Sequence, residues 1–286
     1  MSEPIPPRDT DDWTYNQILS ITLANRASAF ISMLGSGCII LMILRPSKRD
    51  VKLKLMYHRL MLGLSVHDFL SSFWAFVGSW AMPKDNLHSN EMIGNYGSWD
   101  TCTAQGFFIL YGYFSGIVFN AVLSIYFLLF VKYSWREEQF CKIEPYCLFC
   151  ATGVPAAVSM FLAFTESFNP TIKWCFIQSY PINCEKYNDN EFECLRGEKG
   201  TLYQGLFAIG PMIIGFLVIS FCMTSLYRHV REIERSSQRY RFNSTPSLRR
   251  MTNKKTKQVF KVACWYVGVF IWIWAPTLVS STLFPI

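Results

Sequence analysis

The chain has 286 residues and a formal net charge of +7, with 51% apolar and only 16% charged residues, against about 25% charged in an average soluble domain. The apolar residues, among them 24 Phe, 14 Tyr and 9 Trp, lie in long runs with the charges between them. That distribution excludes an ordinary soluble domain, and the absence of a finger, an RNP-like motif or a compact basic domain excludes a nucleic-acid partner.

The first 17 residues, with Pro4, Pro6, Pro7 and four acids, have neither a basic start nor an apolar stretch. They read as an extracellular tail, and the first helix itself serves as the targeting signal. A bilayer's hydrocarbon zone takes about 20 helical residues. Six runs meet that length, at about 18–44, 60–82, 102–131, 146–164, 202–226 and 259–284. The fold predicted over 18–284 is therefore an all-α, polytopic transmembrane helix bundle. The lipid bilayer is its first partner.

The first run carries Asn25. The second carries Asp68 within "LMLGLSVHDFLSSFWAFVGSW". A carboxylate at mid-membrane is costly unless it faces protein, water or an ion, so Asp68 is expected to point into the bundle. Asn25, Ser36, Asn120 and Ser124 are its candidate partners, with Asn120 first. His67 points to another face and reads as a packing donor between helices. In the third run Gly106, Gly112 and Gly116 predict close helix approach. Pro155 and Pro211 predict kinks in the fourth and fifth runs. In the sixth, "ACWYVGVFIWIWAP", Pro276 predicts a kink with Trp272 and Trp274 inward of it, a candidate switch.

Basic residues set orientation. The connections after runs one, three and five hold 20 of the 27 Lys and Arg residues, and the other connections are acidic. The N-terminus is therefore expected outside and the basic stretch 228–258 in the cytoplasm. The linker 235–255, rich in Ser, Asn and Arg, reads as disordered. The outer loop 165–201 is long enough to suggest a function, as a lid or as an external binding surface. Four cysteines fall outside, Cys102, Cys175, Cys184 and Cys194, where thiols oxidise. Their connectivity is open by spacing alone. Cys147 and Cys150 form a C-x-x-C with no second pair, so no metal site is expected. No P-loop, H-E-x-x-H or G-x-S-x-G occurs, and no nucleophile–base pair is visible. The chain is not expected to be an enzyme or to carry a cofactor.

A cysteine opening helix three, a cysteine-bearing second outer loop, the Asp68 helix and the Trp–Pro helix six together resemble the seven-helix G protein-coupled receptors. The texture of "LGLSVHDFLSSF", with Asp68, Ser71 and Ser72, resembles the cyclic-AMP-receptor-like and secretin-related groups most. "FVKYSW" at the end of helix three lacks the Asp-Arg-Tyr of rhodopsin-like receptors, which disfavours that class. The resemblance implies a bridge from Cys102 to a loop cysteine, with Cys184 first and Cys175 or Cys194 as alternatives. It also implies an extracellular ligand of unknown kind. A heterotrimeric G protein would meet Lys132, Arg228, Arg231, Lys257 and Lys261, although anchoring to anionic lipid would explain the same charges. With six runs and an end at "STLFPI", a seventh helix is unaccounted for. The chain is thus expected to be a truncated receptor without measurable nucleotide exchange, through an incomplete reading of the gene or a naturally short form. The competing class is a six-helix transport or scaffold protein.

Overall fold

Thr14 opens the first helix: the Gln17 side chain reaches back and its Oε1 accepts the Thr14 backbone N–H at 2.8 Å, satisfying a donor that the helix itself leaves unpaired. The structure, a computed structural model, describes residues 14–47, 49–86, 94–182, 184–186 and 194–239 and Gly268. Five helices among the described residues are long and apolar enough to cross a membrane: α1 (Tyr15–Leu44), α2 (Met56–Ala81), α3 (Trp99–Lys132), α4 (Glu137–Phe164) and α5 (Gly200–Ile233). The architecture is an all-α polytopic bundle. The sixth run lies outside the described residues, and with it Trp272, Trp274, Pro276, Lys257 and Lys261.

The chain divides into two compact units. One is Met1–Phe119 with Pro145–Met212, the other Asn120–Glu144 with Ile213–Ile286. In the first, α1 buries Thr22, Ala29, Ser36 and Ile43. These recur every seven residues, which keeps one narrow seam facing a neighbour, and three of the four are small enough for close backbone approach. Gly106 and Gly112 act as expected. A Cβ on Gly106 would lie 2.5 Å from the Phe168 ring, and one on Gly112 would lie 2.6 Å from the Ser71 Cβ. Gly116 differs, with nothing within 4 Å of the same position.

Pro155 and Pro211 do not break their helices. Each follows a five-residue π-turn, Phe149–Gly153 in α4 and Gly205–Ile209 in α5. Val154 N–H donates to the Phe149 carbonyl and Gly210 N–H to that of Gly205, five residues back instead of four. A proline ring clashes with the carbonyl four residues before it and offers no N–H. The wider turn accommodates the ring while the helix continues.

Between α4 and α5 the chain forms a two-stranded antiparallel hairpin, β1 (Phe168–Pro170) with β2 (Cys175–Ile177), in register Asn169 with Phe176. Phe168 and Ile177 enter a core with Leu110, Leu162 and Ala208. The second unit packs aromatics at the end of α3. The Tyr126 ring lies 4.5 Å from that of Phe140, and its hydroxyl donates to Glu137 Oε1 at 2.9 Å. Ile219, Cys222, Leu226 and Val230 are buried along one stripe of α5.

Candidate functional site

The part of the first unit at the head of α3 is organised by one buried amide. Gln105, one turn after Cys102 on α3, is fully buried. Its Nε2 donates to the carbonyls of Trp74 at 2.9 Å and Gly78 at 2.7 Å. Its Oε1 accepts the Cys175 backbone N–H at 2.8 Å. Two carbonyls can only accept and an amide N–H can only donate, so the side chain has one possible orientation. It joins the end of α2, the start of α3 and strand β2.

Sulfur reinforces the same place. Cys102 is bonded to Cys175, and Cys184 to Cys194. This corrects Cys184 as the first choice of partner for Cys102: the partner is Cys175, one of the two alternatives. The reason is the hairpin, whose β2 strand carries Cys175 to the head of α3, while Cys184 stands beyond the strand in a short helical turn.

Farther along the loop, Tyr180 N–H donates to the Arg196 carbonyl at 2.9 Å. The Trp99 ring is held between the Tyr180 ring, 5.0 Å away, and the Arg196 guanidinium, 4.6 Å away. Arg196 Nε also lies 3.6 Å from Glu166 Oε2. Both ends of the long loop are thus tied to the start of α3.

Deeper in the same unit lies a polar cluster. Ser32 Oγ donates to Asp68 Oδ2 at 3.1 Å, Ser36 Oγ donates to the same oxygen, and Ser72 Oγ donates to Ser32 Oγ at 3.0 Å. Sequence reasoning named Ser36 but placed Asn120 first. The structure sets Asp68 against α1, and the Asn120 carbonyl accepts from Ser124 Oγ at 2.9 Å. Asn25 instead ties α1 to α2, its Nδ2 donating to the Ala75 carbonyl at 3.1 Å. His67 is a helix-packing residue: Nδ1 meets the Gly63 carbonyl at 2.7 Å and Nε2 meets Tyr111 Oη at 2.9 Å. The carbonyl can only accept, so Nδ1 carries the proton and Tyr111 donates to Nε2.

A disulfide pins the hairpin to the head of helix three, and an aspartate of a second apolar helix is bonded to serines of the first. Residues 35–286 match the 7 transmembrane receptor (rhodopsin family). The chain belongs to that family. No curated protein matches it. The rhodopsin family corrects the class read from "FVKYSW": a missing Asp-Arg-Tyr does not remove the chain from it, and the nearer likeness to cyclic-AMP-receptor-like and secretin-related groups has no support.

This rhodopsin-family receptor is a multi-pass membrane protein. Of the basic residues singled out in the sequence, Lys132, Arg228 and Arg231 are exposed in the second unit, and the Lys132 ammonium lies 5.4 Å from the Tyr133 ring. Sequence reasoning missed Gln105, Ser32 and Tyr111. Gln105 did leave a signal: an amide in an apolar helix, three residues from a cysteine, has to find partners inside the bundle.

Proposed function

We propose that the receptor carries an extracellular signal across the plasma membrane to a heterotrimeric G protein. The match to rhodopsin-family receptors over residues 35–286 carries this reading. The tail 1–17 and the loop 165–201 face outside, and 228–258 faces the cytoplasm. Two disulfides on one side support that orientation, since such bonds persist in oxidising surroundings. The loop they pin offers a fixed surface to a ligand. Asp68 and Asn25 are the polar residues proposed to lie within the membrane in the first unit, and Asn120 the one in the second. Trp272, Trp274 and Pro276, outside the described residues, are the candidate kink and switch of the sixth run. Lys132, Arg228, Arg231, Lys257 and Lys261 meet the G protein.

Basal nucleotide exchange by candidate G proteins, with the full receptor reconstituted in lipid, tests the reading. Arg228→Glu with Arg231→Glu is expected to lower exchange at least about tenfold, since rim charge reversal opposes association. Exchange unchanged by the reversal, with the protein folded, would overturn the assignment of these residues.

A further inference from the structure

The connection between α1 and α2 collects charge of one sign. Residues 45–59 hold Arg45, Lys48, Arg49, Lys52, Lys54 and Arg59 against a single acid, Asp50. Asp50 Oδ1 lies 3.3 Å from Arg49 Nε, which leaves Arg45, Lys52 and Lys54 with no acid of the connection to balance them. Lys52 is placed by backbone instead of by a counter-charge. Its Nζ donates to the Met42 carbonyl in the last turn of α1, a group the helix leaves without a partner at the negative end of its dipole. That bond sets the ammonium one turn from Arg45. A carbonyl accepts a hydrogen bond without cancelling the charge, and two of the three ammonium N–H groups remain for another acceptor.

The level of this patch follows from its flanks. α1 ends at Leu44 and α2 begins at Met56, and both are spans. The two ends of the connection therefore leave the same face of the membrane, and residues 45–55 reach at most about 20 Å from it when extended out and back. Part of that length is a helical turn, Arg49–Lys52, closed by Leu53 N–H on the Arg49 carbonyl at 2.9 Å and followed by Leu55 N–H on that of Lys52 at 3.1 Å. The cations are thus held close to the lipid headgroups. Apolar side chains alternate with them: Val51 is 71% exposed and Leu55 42%. Bare apolar groups among cations suit the boundary between headgroups and acyl chains.

We propose that the α1–α2 connection binds the headgroup of an inositol lipid that carries phosphomonoesters, with Arg45, Lys52 and Lys54 on the phosphates and Val51 and Leu55 at the acyl boundary. Charge complementarity selects this occupant. Several unbalanced cations on one short, hydrogen-bonded connection match several phosphates on one ring, whereas a singly charged headgroup meets only one of them. The lipid belongs to the cytoplasmic leaflet, a clause that rests on the orientation proposed above.

The test is native mass spectrometry of the purified full receptor in detergent, titrated separately with phosphatidylinositol bisphosphate, phosphatidylserine of the same chains and free inositol trisphosphate. The wild type is expected to retain one inositol lipid and to hold the other two at least about tenfold more weakly. Arg45→Gln with Lys52→Gln should lower retention of the inositol lipid about thirtyfold, the factor that two charges at a membrane surface supply. Glutamine keeps an N–H donor for the Met42 carbonyl. Lys54→Gln, at an exposed position, should lower retention about fivefold and decides the matter where the double variant does not fold. Arg136→Gln with Lys142→Gln removes the same charge at two exposed positions elsewhere in the chain and should stay within about twofold of wild type. A linked Cys102–Cys175 peptide reports that each variant is folded. An equal loss from the Arg136 and Lys142 pair would overturn the proposal, since bulk charge would then suffice. So would equal retention of the inositol lipid and phosphatidylserine, or free trisphosphate bound as tightly as the lipid. Absence of any lipid adduct would overturn it too and leave the patch to a protein partner. Retention in detergent does not depend on which side faces out, so its failure leaves the orientation standing, and tag accessibility tests that separately.

Discussion

The Cys175 backbone N–H donates to Gln105 Oε1 at 2.8 Å, three residues along α3 from the sulfur to which Cys175 is bonded. One residue of the hairpin is thus held twice, by a covalent bond and by an amide that also bonds the Trp74 and Gly78 carbonyls. The two attachments fail differently.

Gln105→Leu removes the amide and keeps the sulfur. It removes both bonds to the Trp74 and Gly78 carbonyls and leaves the Cys175 N–H without its acceptor, a loss of about 2 kcal/mol or more. The thermal midpoint of the purified receptor should fall by roughly 5 °C with the disulfide intact. A midpoint within 1 °C of wild type, on the scale that conversion sets, would show the amide to be idle.

Cys175→Ser removes the sulfur. Non-reducing peptide mapping of the wild type should give the linked pairs Cys102–Cys175 and Cys184–Cys194, and in the variant Cys102 should label as a free thiol while Cys184–Cys194 stays linked. The closed ring spans a sequence separation of 73, and its loss should cost about 2–5 kcal/mol, seen as reduced surface delivery. A Cys102–Cys184 peptide from wild-type protein would refute the pairing.

Two glycines on α3 separate crowding from empty space. Gly112→Ala should destabilise by about 1–3 kcal/mol, because the new methyl would press on Ser71 and on the His67 carbonyl. Gly116→Ala, whose added methyl would meet no atom within 4 Å among the described residues beyond its chain neighbours and its own helix backbone, should be neutral or stabilise by up to about 1 kcal/mol through helix propensity. Thermal midpoints of the two variants side by side decide it, and the reverse order would contradict the packing.

Orientation is checked with epitope tags. A tag at residue 2 should stain on intact cells, and one near Ser244 only after permeabilisation. The opposite pattern would invert the proposed topology.

The spans were legible because hydropathy over about 20 residues reports the bilayer directly. Where the structure departs, the reason is local. α4 begins at Glu137, not near 146, since Glu137, Glu138, Lys142 and Glu144 continue the helix into water, where hydropathy no longer marks it. The positions of Asp68 and the outer cysteines could be read from residue type, but their partners depend on which helix face meets which. Asp68 takes Ser32 and Ser36, one turn apart on α1, a pair that spacing shows only once the facing helix is known. The prolines were legible as disturbances, yet the sequence does not say whether a helix answers a proline with a bend or a wider turn.

The π-turns of α4 and α5 set a phase. An added residue in one turn rotates everything beyond it by about 100°. In α4 the segment 137–148 and the segment 154–164 therefore present faces that a uniform helical wheel drawn through all 28 residues would confuse. The same holds in α5 on either side of Gly205–Ile209. Equivalent positions in another receptor of this family should be counted outward from each proline in both directions. A count carried straight through a helix lacking the extra residue would assign lipid-facing side chains to the interior and interior ones to lipid.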